Sequence, residues 1–413
     1  MYTRCSFIQA SSMCSKIVGS KAGNTGQCTE RRRSEKKPAW RLSAWRNALF
    51  SGVLLPSLAG AMEMPNGFLP ADQFRTDEYR ASWALEKIHA ADAYALGYSG
   101  KGVRIGVVDS GDVLDHAEFA GRTGPWIQSG PPNTEPFDEV GAHSTYVSGV
   151  LAAARDGRGM HGVAYDAALI PITGWGVKTY EDHAEVYFQT AGGIADAVQR
   201  GAQIINGSYG PPVLPSKNNI DGQLNPKYRP QSMQMLHFMP ELNELQFFSD
   251  EVKALRYAAA HDVVVVYAAG NHFGDHPDAA AHPSAMGLLP YIKPGNHGSG
   301  VYRIVEGELI LEDEEYGPDD YVTIAPSDSR LKDLDFSDVE QSMIVVVATD
   351  KDDRITSYSN RCGVAWRWCI AAPGGDKPGD GESWESTGMY TTTLDQGYGA
   401  VRMRGTSLAA PLV

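Results

Sequence analysis

The 413-residue chain is poor in cysteine and has no long hydrophobic run, and each absence excludes a class of protein. Five cysteines are too few for a disulfide-framework fold, and no apolar run reaches the roughly 18 residues that a membrane-spanning helix needs. The 44 glycines show no triplet period, which excludes a collagen-like chain. Because 42% of the residues are hydrophobic, the chain can bury a core, and disorder throughout is excluded as well.

The net charge of −14 is unevenly distributed along the chain. Residues 1–61 carry a formal charge of +8, whereas the remaining residues carry −22. An acidic surface repels the phosphate backbone, so nucleic-acid binding is disfavoured as a function.

The basic N-terminal segment has the pattern of an export signal. Arginines and lysines between positions 31 and 46 precede a short apolar run at 48–58, and small residues ending at Ala61 follow it. This order is typical of a signal peptide with its cleavage site. We therefore expect residues 1–61 to be an N-terminal extension with a signal peptide, and the mature protein to be secreted or held at the cell surface or outer membrane. A disordered basic tail followed by a buried helix is the alternative.

The cysteines divide in the same way as the charges. Cys5, Cys14 and Cys28 fall in the predicted signal segment, which leaves Cys362 and Cys369 in the exported part. An even pair in an oxidising compartment is a disulfide candidate, with two buried free thiols as the alternative.

Short apolar runs alternate with helical patterns along the exported part. Strands are predicted at 103–108, 168–172, 203–206, 263–268 and 344–348, and helices at 144–154, 181–200 and 251–261. Alternation of this kind predicts an α/β fold with a mostly parallel sheet covered by helices on both faces. Two stretches, 211–250 and 274–342, interrupt the pattern and are interpreted as insertions.

Four segments carry side chains that suggest chemistry. Asp109 ends a buried strand, His143 begins a helix, Asn271 follows a strand of valines, and Ser407 lies at a helix start. Each has an ordinary structural interpretation when it is taken alone, such as a turn asparagine or an N-cap serine. Together they supply a nucleophile, a base, an orienting carboxylate and an oxyanion donor, which is the set that acyl transfer by serine requires.

In this order and in these sequence contexts, the four segments resemble the subtilisin-like serine proteases, or subtilases. The resemblance implies that Asp109 orients the base, that His143 acts as general base and then general acid, and that Ser407 is the nucleophile. It also implies that Asn271 donates to the oxyanion from its side chain, with the Ser407 N–H as a second donor.

Further segments extend the resemblance. It implies substrate-binding residues in two segments, namely Ser208, Tyr209, Gly210, Ala268, Ala269 and Gly270. The paired cysteines Cys362 and Cys369 and the segment EYRASW at 78–83 resemble the bacterial autotransporter branch in particular, which supports the disulfide.

The chain also departs from the family pattern. Ser144 follows His143 where the family usually has glycine, and Val413 lies only six residues beyond Ser407, where the family continues with a long apolar helix. We therefore expect a short linker at 62–77 and a C-terminally incomplete peptidase domain at 78–413.

Other hydrolase classes are disfavoured by motif. A zinc hydrolase is disfavoured because neither HExxH nor CxxC occurs in the sequence. An α/β-hydrolase is disfavoured because Ser407 lies in GTSLA rather than in a GxSxG motif. The acidic run at 312–315 is interpreted as a solvated loop, with a calcium site as the alternative, and no other cofactor is expected.

The sequence thus predicts a subtilisin-like three-layer α/β fold and a secreted serine endopeptidase that acts on protein or peptide substrates through an acyl-enzyme. Outer-membrane association is expected only through a missing C-terminal region. The alternatives are a non-catalytic surface or adhesion passenger that keeps the fold, and an inactive truncated fragment.

Overall fold

A computed structural model describes residues 69–413, apart from 111–115, 130–134, 137–141, 180–183, 210–235, 239–243, 275–276, 278, 295–301, 306–320, 324–334, 380 and 395–399. All of the described residues belong to one compact unit, Met64–Val413. The predicted signal segment, Gly210 and the acidic run at 312–315 lie outside the described residues.

The described part of the chain contains fifteen strands and eight α-helices. The strands are β1 (Arg104–Asp109), β2 (Ile127–Gln128), β3 (Glu135–Pro136), β4 (Ala168–Thr173), β5 (Trp175–Thr179), β6 (Ala184–Phe188), β7 (Ile204–Gly207), β8 (Leu236–Phe238), β9 (Val264–Ala268), β10 (Tyr302–Val305), β11 (Tyr321–Thr323), β12 (Met343–Thr349), β13 (Cys369–Pro373), β14 (Met389–Thr392) and β15 (Ala400–Met403). The α-helices are α1 (Asp77–Ala81), α2 (Trp83–Lys87), α3 (Ala90–Ala95), α4 (Ala142–Ala152), α5 (Thr190–Gln199), α6 (Glu244–Ala259), α7 (Trp384–Thr387) and α8 (Thr406–Ala409).

Seven of these strands form a parallel sheet in the order β13-β12-β9-β7-β1-β4-β2. Both faces of the sheet are covered, since alternate residues of a strand enter different apolar clusters. Along β9, Val265 and Tyr267 pack with Leu255 of α6, whereas Val266 packs with Leu408 of α8. The fold is therefore the predicted three-layer α/β arrangement, with helices on each side of a mostly parallel sheet.

Helix α4 is buried along most of its length because small residues let it approach a neighbouring hairpin. A Cβ atom added to Gly149 would lie only 2.4 Å from the Oγ1 atom of Thr391 on β14. The next residue of that strand, Thr392, donates from its hydroxyl to the carbonyl oxygen of Thr145 at 3.0 Å. This close packing fixes the helix that begins next to His143.

The five predicted strands of the central sheet are present with ends shifted by one residue at most, but the predicted helix at 181–200 is wrong in its first half. The helix begins at Thr190, and residues 184–188 form β6, which pairs antiparallel with β5. Val186, Tyr187 and Phe188 are residues that favour a strand. Pairing with β5 then stabilises the strand, and a prediction of helix does not take this pairing into account.

Two predicted boundaries also differ from the structure. Helix α6 begins at Glu244, so the last residues of the stretch interpreted as a 211–250 insertion are helical. Within 274–342, the 3-10 helix Ala285–Tyr291 buries Leu288 and Leu289 in the main apolar cluster. The part of the second stretch at Ala285–Tyr291 therefore belongs to the core.

The predicted linker at 62–77 is likewise partly folded. Residues Ala71–Phe74 form a 3-10 helix, and the ring of Phe74 packs in a buried aromatic cluster with Tyr79, Tyr94 and Tyr165. The N-terminal part of the described chain is therefore fixed to the body of the domain by aromatic packing.

Candidate active site

Three neighbouring strands deliver the candidate residues to one edge of the sheet. Asp109 is the last residue of β1, Ser208 follows β7, and Asn271 lies three residues beyond the end of β9. Because β1, β7 and β9 are adjacent and parallel, their carboxyl ends meet at the same edge, where open α/β sheets bind their ligands.

The carboxylate of Asp109 and the imidazole of His143 form a short contact. Asp109 is fully buried, and its Oδ1 atom lies 2.6 Å from His143 Nδ1 while also accepting from the backbone N–H of Ser110 at 2.7 Å. The contact favours a proton on Nδ1, which leaves Nε2 as the basic nitrogen of the neutral ring. The His143 side chain is 37% exposed, so the ring has one buried side and one side toward solvent.

Ser407 lies in the first turn of α8 and exchanges hydrogen bonds with Ser208. The Ser407 hydroxyl donates to the carbonyl oxygen of Ser208 at 3.2 Å, and the Ser208 hydroxyl donates to the carbonyl oxygen of Ser407 at 2.8 Å. The amide of Asn206 donates to the Ser208 hydroxyl at 2.9 Å and holds it in place. The end of β7 is thereby joined to the helix that carries Ser407.

Apolar packing brings the helix of His143 against the helix of Ser407. Val150 of α4 and Leu408 of α8 belong to the same buried cluster, and Tyr146 packs against it. The fold therefore packs the two helices against each other on one face of the sheet.

Two N–H donors converge next to Gly405. A Cβ atom added to Gly405 would lie 3.7 Å from Asn271 Nδ2 and 3.7 Å from the backbone N of Ser407. Two nitrogen donors this close to one position are a candidate pair for binding the oxygen of a tetrahedral intermediate.

The backbone before Asn271 needs glycine. Gly270 has φ of +107°, and a Cβ atom there would lie 2.9 Å from the amide nitrogen of Asn360. Its own N–H donates to the Thr406 hydroxyl at 3.1 Å, so the turn that carries Asn271 is joined to the start of α8.

The predicted substrate-binding residues are placed in different environments. The side chains of Tyr209, Ala268 and Ala269 are buried in the core, and Gly270 is half-buried. The Tyr209 hydroxyl donates to Glu251 inside the domain at 3.1 Å, so its ring points away from the surface. Of the described residues of this set, Ser208 bonds to Ser407, through both its backbone carbonyl oxygen and its hydroxyl.

Three further residues were missed by the sequence interpretation. Thr406 bonds to Asn271, Asn206 holds Ser208, and Glu251 lies beneath Tyr209. The signal for Thr406 was present in the segment GTSLA, and that for Glu251 was an acidic residue on the apolar face of a predicted helix.

The two cysteines of the described chain are bonded. The sulfur atoms of Cys362 and Cys369 lie 2.07 Å apart and close a short loop that leads into β13, the edge strand of the central sheet. In the central sheet, β13 is separated from β1 by three strands, β12, β9 and β7.

In the part of the chain that the structure describes, no three His, Cys, Asp or Glu side chains are placed to hold a metal ion. Among the helices of the described residues, none is both long enough and apolar enough to cross a membrane.

The ends of adjacent parallel strands carry Asp109, Asn271 and Ser208, and Ser208 bonds to Ser407 on α8. This arrangement is that of a domain of the subtilisin-like serine endopeptidase class. The chain belongs to the subtilase family, since the family model described as Peptidase_S8, subtilase family, matches residues 100–413.

Relatives of the chain include an extracellular serine protease and a subtilisin, both from bacteria. It is 27% identical over 395 residues to an extracellular serine protease of Serratia marcescens, covering 88% of this chain and 32% of that protein. It is also 30% identical over 138 residues to subtilisin E of Bacillus subtilis, covering 33% of this chain and 34% of that protein. The chain thus spans about a third of the length of these relatives.

Among solved structures, the nisin leader peptidase NisP of Lactococcus lactis is similar to this chain. The TM-score is 0.49 at 18% identity, with 81% of this chain and 82% of that chain covered.

Proposed function

We propose that the protein is an exported serine endopeptidase that hydrolyses peptide bonds in protein or peptide substrates through an acyl-enzyme. The observation that carries the proposal is the 2.6 Å contact between the buried Asp109 carboxylate and His143 Nδ1, on a helix packed against that of Ser407. A buried carboxylate that fixes the tautomer of a half-exposed imidazole is what a general base for serine requires.

In the first half of the reaction, the Ser407 oxygen attacks the carbonyl carbon of the scissile bond, and His143 Nε2 takes its proton. The Asp109 carboxylate stabilises the imidazolium that forms. In the resting site the Ser407 hydroxyl donates to Ser208 at 3.2 Å, which is long for an O–H donor and is given up easily when substrate binds.

The negative charge that develops on the carbonyl oxygen is stabilised by the side-chain amide of Asn271 and the backbone N–H of Ser407. The side-chain nitrogen of Asn271 and the backbone N of Ser407 both lie 3.7 Å from the position that a Cβ atom would take at Gly405, which supports this pair of donors. His143 then donates its proton to the leaving amine, and the acyl group remains on Ser407.

In the second half, water attacks the ester with His143 again as base, and the carboxylate product leaves with Ser407 reprotonated. Every role in this sequence has a side chain or backbone group assigned, so we propose no cofactor for the reaction.

Export is part of the proposal. The basic segment, the apolar run and Ala61 at the N-terminus support a signal peptide, and the relatives named extracellular proteases support secretion. The N-terminal residue of protein recovered from the culture medium tests this, with Met62 as the expected first residue.

Hydrolysis of a denatured fluorescent protein substrate tests the enzymatic proposal. The wild-type protein is expected to cleave it, and Ser407→Ala is expected to abolish cleavage while leaving the folded protein unchanged by circular dichroism. A folded wild-type protein without activity, or a Ser407→Ala variant with full activity, would contradict the proposal, and the first result would favour the non-catalytic passenger.

A further inference from the structure

Glu251 is a carboxylic acid in a position where the fold calls for an apolar residue. It lies on the face of α6 whose neighbours Val252 and Leu255 enter the main apolar cluster, and its side chain is fully buried. Burial raises the pKa of the Glu251 carboxyl. An apolar residue of similar volume would avoid the cost of burying the acid, so stability alone does not account for a carboxyl group here.

Three buried hydroxyl groups donate to the Glu251 carboxylate from three different elements. Thr190 of α5 donates to Oε2 at 2.7 Å, while Tyr267 of β9 and Tyr209 donate to Oε1 at 2.7 and 3.1 Å. Because one carboxyl group accepts all three hydrogen bonds, it fixes the positions of the three donors relative to each other.

Tyr209 lies beyond the last residue of β7 that pairs with a neighbouring strand. Gly207 is the last residue of β7 that pairs with β1 or β9, and Ser208 and Tyr209 continue beyond the ladder. The Tyr209 ring packs edge-on against the Tyr267 ring, with centroids 5.7 Å apart and planes at 86°. Its side chain therefore anchors the segment in which the Ser208 carbonyl oxygen accepts from Ser407.

The same carboxylate oxygen also bonds to the strand that leads to the oxyanion donor. Tyr267 lies on β9 four residues before Asn271, so Oε1 of Glu251 connects the segment beside Ser407 with the strand before Asn271. The position of these two groups relative to each other matters for the transition state more than for initial binding.

We propose that Glu251 is a positioning residue for the peptidase reaction, which fixes Ser208 through Tyr209 and thereby sets the position of the Ser407 hydroxyl relative to Asn271. The inference rests on the proposed function. Glu251 contacts neither the substrate nor the reacting atoms and acts through the two tyrosines.

The test compares Tyr209→Phe with Thr190→Val in the purified protein, with a peptide substrate. Each variant removes one buried hydroxyl that donates to Glu251, but only Tyr209 is the direct chain neighbour of Ser208. We expect Tyr209→Phe to lower kcat by roughly 3- to 10-fold with KM within about twofold, and Thr190→Val to leave kcat within about twofold, since a hydrogen bond of ordinary strength corresponds to such a factor. Urea denaturation is expected to show a similar loss of stability in both variants.

Variants of Glu251 itself provide the second measurement. Glu251→Gln keeps one oxygen acceptor and is expected to retain more of the wild-type kcat than Glu251→Leu. The double variant Glu251→Leu with Tyr209→Phe is expected to have the kcat of Glu251→Leu alone, because both changes remove the same connection.

Wild-type kcat in folded Tyr209→Phe, or equal losses of kcat in Tyr209→Phe and Thr190→Val, would overturn the inference even if Glu251→Leu fails to fold. These results are distinguishable from failure of the proposed function, in which the wild-type protein itself does not hydrolyse the peptide.

Discussion

The side-chain oxygen of Asn271 accepts two hydrogen bonds from Thr406, one from the backbone N–H at 2.9 Å and one from the hydroxyl at 3.0 Å. The hydroxyl of Thr406 in turn accepts from the backbone N–H of Gly270 at 3.1 Å. Because the amide oxygen is held in this way, the amide nitrogen of Asn271 is turned toward the space beside Gly405 that the Ser407 N–H also borders. In the proposed reaction, Thr406, the residue before Ser407, therefore orients the oxyanion donor.

Removal of the Asn271 amide tests this donor directly. We expect Asn271→Ala to lower kcat by about 10²–10³, with a small change in KM, because the lost hydrogen bond forms only in the transition state. Steady-state kinetics on a peptide substrate measure both constants. Unchanged kcat in the variant would mean that Asn271 is not an oxyanion donor.

Thr406 is expected to act through Asn271. Thr406→Val removes the hydroxyl with little change in volume and is predicted to lower kcat by about tenfold, since one orienting hydrogen bond is lost. Thr406→Ser keeps the hydroxyl and is the matched control, expected to lie within about threefold of wild type. If Thr406→Val lowers kcat as much in an Asn271→Ala background as in wild type, the two residues do not act together.

Local sequence patterns predicted the strands and the helix that carry most of the candidate residues. Apolar strands ending in Asp109 and before Asn271, and a helix beginning next to His143, are local features, and the parallel sheet then brings them to one edge. The pairing of Thr406 with Asn271 depends on how a turn meets a helix 135 residues later, which no local pattern contains.

His161 is predicted to make stability depend on pH. It is buried among the rings of Tyr79, Tyr94 and Tyr165, and its Nδ1–H donates to the Gly162 carbonyl oxygen at 2.9 Å. Burial, with a smaller effect from the charge of Arg155, lowers the pKa of His161 from 6.5 to about 4.

The unfolded chain therefore binds a proton at this histidine below pH 6.5, whereas the folded chain binds it only below about pH 4. Stability is lost as the pH falls from 6.5 toward 4, and the loss at pH 4.5 is about 2.5 kcal/mol. Urea denaturation of wild type and His161→Gln at pH 7 and pH 4.5 measures it. The variant is expected to be less stable at pH 7 but to lose less stability on acidification, and equal losses would contradict the assignment.

The disulfide between Cys362 and Cys369 is expected to contribute about 2 kcal/mol to stability by restricting the unfolded chain. The double variant Cys362→Ser with Cys369→Ser should lose that amount in urea denaturation. Because the bridge leads into the edge strand β13, far from β1 in the sheet order, kcat should stay within about twofold of wild type. A decrease of kcat by more than about twofold in the folded double variant would show that the loop affects the site.

The errors in the fold prediction have a common physical origin. Residues 184–188 were predicted as helix because an apolar period can be extended from the true helix that follows, but pairing with β5 decides their conformation. Tyr209 was interpreted as a substrate-binding residue because of its neighbours in the sequence, and this role stays a prediction. The structure shows that its side chain is buried and donates to Glu251. In both cases a partner distant in the sequence determines the outcome.

The central claim is that His143, oriented by Asp109, activates the hydroxyl of Ser407. The most direct measurement is the rate at which a fluorophosphonate probe labels Ser407, identified by peptide mass spectrometry, in wild type, His143→Ala and Asp109→Asn. We predict stoichiometric labelling of wild type at Ser407 and a rate lower by about 10³-fold or more in both variants, because the base is absent in one and has the wrong tautomer in the other. A folded wild-type protein that is not labelled, or equal labelling rates in all three proteins, would contradict the account.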